Sequence, residues 1–170
     1  MHEIREAYPE EFEELGLLMV NSYAQLEGFP GPEENPSYYN VLRNVGEFAQ
    51  KPKTKLIVAV SEEGRVDGGL VYFGDMRFYG AGGEATLSQE AGAFRLLAVN
   101  PNISGKGLGK RLVYACMDQA RLEGFEYLMI HSTKFMKVAR KMYERMGFER
   151  FPEIDFTKSY VSVLGFRYKL

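Results

Sequence analysis

The chain has 170 residues and a formal net charge of −2, long enough to bury a core as one domain spanning 1–170. That balance gives no global pull towards nucleic acid or an anionic membrane surface. The single cysteine, Cys116, excludes an intramolecular disulfide and a cysteine-rich metal site, and with only His2 and His131, far apart in the chain, no metal is expected.

The opening "HEIREA" is a short strand candidate with no signal-peptide core behind it, and apolar runs nowhere approach the ~20 residues of a membrane span. A reducing, cytoplasmic setting follows as the expectation. Pro9 suits a first helical turn, and Glu10 and Glu11 follow where a helix dipole favours acids. Phe12, Leu15, Met19, Ser22 and Leu26 then recur on one helical face. "GFPGPEENP" breaks that helix, and Asn35–Pro36 reads as the cap and first turn of a second, with Tyr39, Leu42, Val45 and Ala49 as its buried stripe.

"KLIVAV" and "VDGGLVYF" form a hairpin through "SEEGR". Residues 74–90, "GDMRFYGAGGEATLSQE", are a long glycine-rich loop of the kind that carries function. "GAFRLLAV" is almost continuously apolar, as in a strand covered on both faces. "NPNISGKGLGKRL" follows and leads into a helix marked by Leu108, Leu112, Ala115, Gln119 and Leu122, which ends at Gly124. "FEYLMIHS" is a strand. "FMKVARKMYERMGF" is a helix with Phe135, Ala139, Met142 and Met146 on one face, stopped by Gly147. A strand broken by Pro152 and an alternating strand, "YVSVLGFRYKL", close the chain. The order β-α-α-β-β-β-α-β-α-β-β predicts an α/β chain: a mixed, mostly antiparallel sheet with helices on both faces.

The glycine loop is the feature that points to a ligand. A Walker A alignment puts Ser104 where the first glycine belongs and Arg111 where the magnesium-binding hydroxyl belongs. A dinucleotide fingerprint fits Gly105 and Gly107 but meets Lys110 at its third glycine, and no acidic residue closes a following strand. Both readings fail on spacing. Two remain: a cradle for a pyrophosphate, in which the amides from Gly105 to Lys110 open at a helix N-terminus, or a glycine-softened helix start with solvated lysines. Lys106, Lys110 and Arg111 add local positive charge.

"LLAVNPNISGKGLGKRLV", followed by "ARKMYERMGF", resembles the GNAT superfamily of acetyl-CoA-dependent N-acetyltransferases. The family's Q/R-x-x-G-x-G/A loop falls on Ser104, Gly105, Lys106, Gly107, Leu108 and Gly109. Its A-x-x-x-Y-E-x-x-G-F signature falls on Ala139, Tyr143, Glu144, Gly147 and Phe148. The match covers roughly Ala93 to Phe151. The resemblance implies the GNAT fold, acetyl-CoA as co-substrate without a metal, and direct acyl transfer to an amine. It implies that Leu97, Ala98 and Val99 offer backbone groups to pantetheine, that Ser104 to Lys110 hold the pyrophosphate, and that Met136, Ala139 and Tyr143 flank the thioester. Tyr143 is the implied proton donor to the leaving thiolate.

The chain departs from the family at three positions: Ser104 replaces the leading Gln or Arg, Ala93 the strand glutamate, and Met136 the asparagine of the last helix. The base is then either Glu90 or a water relay. Tyr143 has a plain alternative as a core tyrosine, Cys116 reads as a buried structural thiol, and His131 as structural rather than basic. Tyr23, Phe29, Tyr38 and Tyr39 either line an acceptor pocket or pack helices. The rival functions are a CoA-binding module without turnover and a phosphate-loop nucleotide binder. The expected partner is a small-molecule or peptide amine, not nucleic acid or membrane. Homodimers are common in the family.

Overall fold

The structure, a computed structural model, describes residues 1–80, 89–103 and 105–170. The strands are β1 (His2–Glu6), β2 (Thr54–Ser61), β3 (Val66–Phe73), β4 (Ala91–Val99), β5 (Tyr127–Ser132), β6 (Glu149–Arg150), β7 (Phe156–Lys158) and β8 (Val161–Lys169). The helices are α1 (Phe12–Ala24), α2 (Pro36–Arg43), α3 (Leu108–Leu122) and α4 (Lys137–Met146). One sheet runs β1-β2-β3-β4-β5-β8-β6, with β7 attached to β8, and β4–β5 is its parallel pair. The expected mixed, mostly antiparallel sheet is therefore present, with β7 as a short strand the sequence pattern did not reveal.

Two clusters bury the two faces. Leu15, Met19, Tyr23, Tyr39 and Leu42 of α1 and α2 cover one, against Val71, Phe73 and Ala93. Leu112, Val113, Cys116 and Met117 of α3 cover the other with Tyr143 of α4, against Tyr72, Phe94, Leu128 and Ile130. Burial pushes the Cys116 thiol well above its ordinary pKa, which suits a structural role. No helix among the described residues is long and apolar enough to cross a membrane.

Local chemistry sets the boundaries. Asn35 caps α2 by accepting from the Tyr38 amide at 3.4 Å, with Pro36 in the first turn. Gly124 and Gly147 terminate α3 and α4 at φ +81° and +102°. Three stripe assignments are corrected. Leu26 lies beyond α1. The second stripe breaks because α2 ends at Arg43; Val45 stays buried in the 3₁₀ turn that follows, and Ala49 is turned out to solvent. Leu122, in the last turn of α3, is 82% exposed, and the buried face is instead Leu108, Leu112, Val113, Cys116, Met117 and Ala120.

Candidate active site

The site begins where β4 and β5 part. They share three rungs, Ala91–Tyr127, Gly92–Leu128 and Ala93–Met129, and no rung beyond. The divergence has a local cause in β4. Gly69 faces Ala98 and Val71 faces Arg95, so Leu96 and Leu97 together face the single Leu70. Leu96 takes up the extra residue at φ +62°, a conformation that costs a non-glycine residue roughly 1–2 kcal/mol. From Phe94 to Val99 the strand keeps β3 on one side and has lost β5 on the other. Two of its carbonyls instead accept from α1: Leu97 from the Tyr23 hydroxyl at 3.3 Å and Val99 from Ser22 Oγ at 3.2 Å. Each carbonyl retains a second lone pair.

The glycine loop is anchored at its base. The Asn100 amide donates to the Asp67 carbonyl at 2.8 Å, and Asn100 Nδ2 to Asp67 Oδ1 at 3.1 Å. Asp67 is fully buried and also accepts from Arg65 and His2. Burial alone would raise its pKa, but the hydrogen bonds from Arg65, His2 and Asn100 outweigh that and hold it at about 2.

Above this anchor, Gly105 and Gly107 lie at φ +84° and +80°, and a Cβ on either would meet nothing within 4 Å. Glycine is required there by backbone conformation, and the space over the loop is open. The first intrahelical bond of α3 runs from the Arg111 amide to the Gly107 carbonyl, leaving the amides of Leu108, Gly109 and Lys110 without helical partners. A Cβ on Gly109 would sit 3.5 Å from Met142 Sδ and 3.7 Å from Val99 Cγ2, so loop, parted strand and α4 converge at that point. Lys106 and Lys110 are exposed beside the loop. Arg111 turns towards β1, where its Nη2 donates to the His2 carbonyl at 2.7 Å. Ser104 lies outside the described residues.

Tyr143 is brought to the opening. Its ring lies against Phe94, the first β4 residue past the last rung, at 5.8 Å and against Phe148 at 5.6 Å. Its hydroxyl makes no hydrogen bond among the described residues, and burial raises its pKa well above that of a free phenol. Ala139 and Met142 pack on the same face, whereas Met136, the residue before α4, packs against the cluster on the α1/α2 side. Sequence reasoning missed Ser132. It ends β5 beyond the last rung, on the strand face of Leu128 and Ile130, and its Oγ is buried with no hydrogen-bond partner among the described residues. A polar residue closing the apolar run "YLMIHS" was the available signal.

The α1/α2 side of the opening is aromatic. Tyr23, Phe29 and Tyr38 lie 5.7–5.9 Å from one another, and Phe135 joins Phe29 at 6.1 Å. Tyr39 contacts Tyr38 but commits its hydroxyl to the Pro30 carbonyl at 2.7 Å. His131 has both ring nitrogens engaged. Nε2 donates to the Ile154 carbonyl at 2.7 Å, which leaves Nδ1 to accept from the Tyr79 hydroxyl at 2.8 Å. Burial lowers its pKa, so the imidazole is a neutral structural bridge. Glu90 is not brought to the opening. It is exposed, its carbonyl accepts from the Glu126 and Tyr127 amides, and it precedes the paired end of β4, some ~20 Å of extended chain from Leu96.

This arrangement suits an elongated ligand with a phosphate-bearing end at the loop and an amide-bearing stem in the gap. The open space over Gly105 and Gly107 and the orphan Ser132 Oγ are the observations it would satisfy. Comparison with known proteins agrees. Residues 3–148 match the acetyltransferase (GNAT) family. The uncharacterized N-acetyltransferase YjgM of Escherichia coli is 32% identical over 131 residues, covering 69% of this chain and 77% of its own length. Among solved structures, an acetyltransferase of the GNAT family from Staphylococcus aureus superposes with a TM-score of 0.76 at 13% identity, over 100% of this chain and 99% of its own. The PaiA N-acetyltransferase of Thermoplasma acidophilum, in complex with coenzyme A, gives 0.73 at 16% identity over 99% of each chain. At such identities the structures speak for the fold, while the sequence matches carry the family: the chain belongs to the GNAT acetyltransferases.

Proposed function

We propose that this single-domain enzyme transfers an acetyl group from acetyl-CoA to an amine by direct attack, in the reducing cytoplasm that its one buried, unpaired cysteine suits. The observation that carries the reading is the combination of a parted β4–β5 pair with a positive-φ glycine cradle opening beside it. The amides from Gly105 to Lys110, with Ser104, hold the pyrophosphate of the co-substrate, and Lys106 and Lys110 add charge. Leu97, Ala98 and Val99 offer backbone groups to its stem, and Ser132 Oγ supplies one more. Met136 and Ala139 bound the stem from α4. The co-substrate supplies an acetyl group activated as a thioester.

The chain's own residues then handle charge and protons. A backbone N–H of the parted segment Leu97–Val99 stabilises the acetyl oxygen as it gains negative charge. Tyr143 gives its phenolic proton to the departing sulfur; its buried hydroxyl is protonated at neutral pH. The amine proton leaves to solvent through water held by the carbonyls of the parted strand, since Glu90 is remote and His131 is fully engaged.

Thermal-shift titration tests the cofactor: stabilisation by CoA and not by ATP is expected. Release of free thiol from acetyl-CoA with an amine panel then separates an enzyme from a binding module. No shift with CoA overturns the reading.

A further inference from the structure

Arg95 is the unexplained charge of the site. Among the described residues, the other half-buried arginines have clear partners: Arg5 pairs with Glu11 at 2.7 Å, Arg140 with Glu144 at 3.3 Å, and Arg167 lies between the Tyr127 and Phe151 rings at 4.2 and 4.0 Å. Arg95 has neither a carboxylate nor a ring. Its one hydrogen bond runs from Nη1 to the Tyr79 carbonyl at 3.1 Å. That bond leaves four of its five N–H groups without a partner among the described residues, and no carboxylate among them neutralises the charge. Burying such a group without a partner is costly, and chains avoid it unless a ligand completes it.

Its position says which ligand. Arg95 is the residue directly before the left-handed Leu96, in the segment of β4 that has lost β5. Its hydrogen bond to Tyr79, which is buried in the α1/α2 cluster with Ala93 and Leu96 of the same strand, places it on the α1/α2 side of the sheet. Tyr143 and the glycine cradle serve the opposite side. On the α1/α2 side the rings of Tyr23, Phe29 and Tyr38 pack together, and Arg95 lies next to the point where the strands part.

We infer that the acceptor carries a carboxylate beside its amine, an amino-acid-like molecule, and that Arg95 is the residue that binds that carboxylate. The planar guanidinium offers the paired donors a carboxylate accepts, and holding the acid end there sets the amine at the parted strand. A polyamine or a lysine side chain would instead meet repulsion from the same cation.

This inference rests on the acetyl-transfer reading, so CoA stabilisation is measured first; its absence removes both. With CoA binding in place, α-amino acids are compared as acceptors with their α-amides and with the corresponding decarboxylated amines, by thiol release. The expected result is at least a roughly tenfold higher kcat/KM for the acids. In Arg95→Gln the preference should collapse, through a higher KM for the acid with the KM for acetyl-CoA unchanged, and Arg95→Lys should restore part of it. The wild-type comparison stands even if a variant fails to fold. Equal use of amides or plain amines overturns the inference, as does transfer to none of the acids by CoA-binding protein. An Arg95→Gln variant that loses acid and amide turnover equally would reduce Arg95 to a support for the Tyr79 carbonyl.

Discussion

On the α3/α4 side of the sheet, most groups facing the opening come from two short stretches, Val99 with the glycine loop that follows it and a turn and a half of α4 around Ala139, Met142 and Tyr143, joined by Phe94 and Ser132 of the two parted strands. On the α1/α2 side, Tyr23, Tyr38, Tyr79, Arg95 and His131 come from five separate segments and meet only in the fold. Most of the first side is therefore carried by short local motifs. The second is assembled from long-range contacts among aromatic rings and Arg95. Under the proposed function, the first side holds the co-substrate and the second receives the acceptor.

The largest expected effect on cofactor affinity separates conformational strain from binding. Gly107 and Gly124 sit at opposite ends of α3 with nearly the same backbone, φ +80° and +81°, and a Cβ on either meets nothing within 4 Å. Valine at either position incurs a similar strain, about 1–2 kcal/mol. Gly107→Val should weaken CoA by about 30-fold or more, because the cradle amides turn away from the pyrophosphate. Gly124→Val should lower the melting temperature comparably and leave CoA affinity within about twofold. Equal CoA affinity in the two variants would remove the loop from the cofactor site.

Tyr143→Phe comes next. The hydroxyl makes no hydrogen bond among the described residues, so its loss should shift the melting temperature little. If it donates the proton, kcat falls by about 100-fold while CoA affinity holds. A kcat within threefold or so of wild type would return Tyr143 to the core and leave the α3/α4 side a binding surface only.

These contrasts also show what was legible in the sequence. The loop, the helix after it and the tyrosine signature are local, and Gly105, Gly107 and Gly147 each stand where φ is positive, so composition and conformation agree. The bulge was not legible. "FRLLAV" reads as an ordinary buried strand, and nothing in leucine announces that Leu96 leaves the β region; the mismatch with β3 across Leu70 forces it. Arg95 was hidden for a related reason. One arginine in an apolar strand reads as an outward-facing residue, and the bulge reverses the alternation just after it, placing Arg95 and Leu96 on one side. Arg111 failed in the opposite sense: it stands in the motif, yet the β1 carbonyl of His2 captures it.

A moderate effect is expected at the base of the loop. Asp67→Asn removes the charge on which Arg65, His2 and Asn100 converge. Stability should fall by about 1–3 kcal/mol, with CoA affinity weakened several-fold and the acid-to-amide acceptor preference unchanged. Because the folded carboxyl titrates at about 2, its stabilising contribution is complete above the ordinary aspartate range and disappears as pH falls through that value. A change in acceptor preference would mean that the two sides of the sheet are coupled through β3.

The smallest effect is a slope, and it tests the α1/α2 side. His131 is held neutral chiefly by burial; the Ile154 carbonyl and Asp155 favour the charged form, and Arg95 opposes it. Its folded pKa therefore lies below that of a free imidazole, near 6.5. As pH drops through that region the unfolded chain takes up a proton before the folded one, so the unfolded state gains and stability falls. The contribution is complete above about pH 7.5 and declines towards pH 5, at no more than about 1.4 kcal/mol per pH unit for one proton. His131→Gln lacks this proton. Its melting temperature should lie below wild type near pH 8, where the Tyr79 and Ile154 bonds are at their best, and the gap should narrow on acidification. Parallel profiles for the two proteins would mean that His131 titrates alike in folded and unfolded chains. The bridge from Tyr79 to Ile154 would then not be holding a neutral ring, and the site would contain a second ionisable group free to serve as the base.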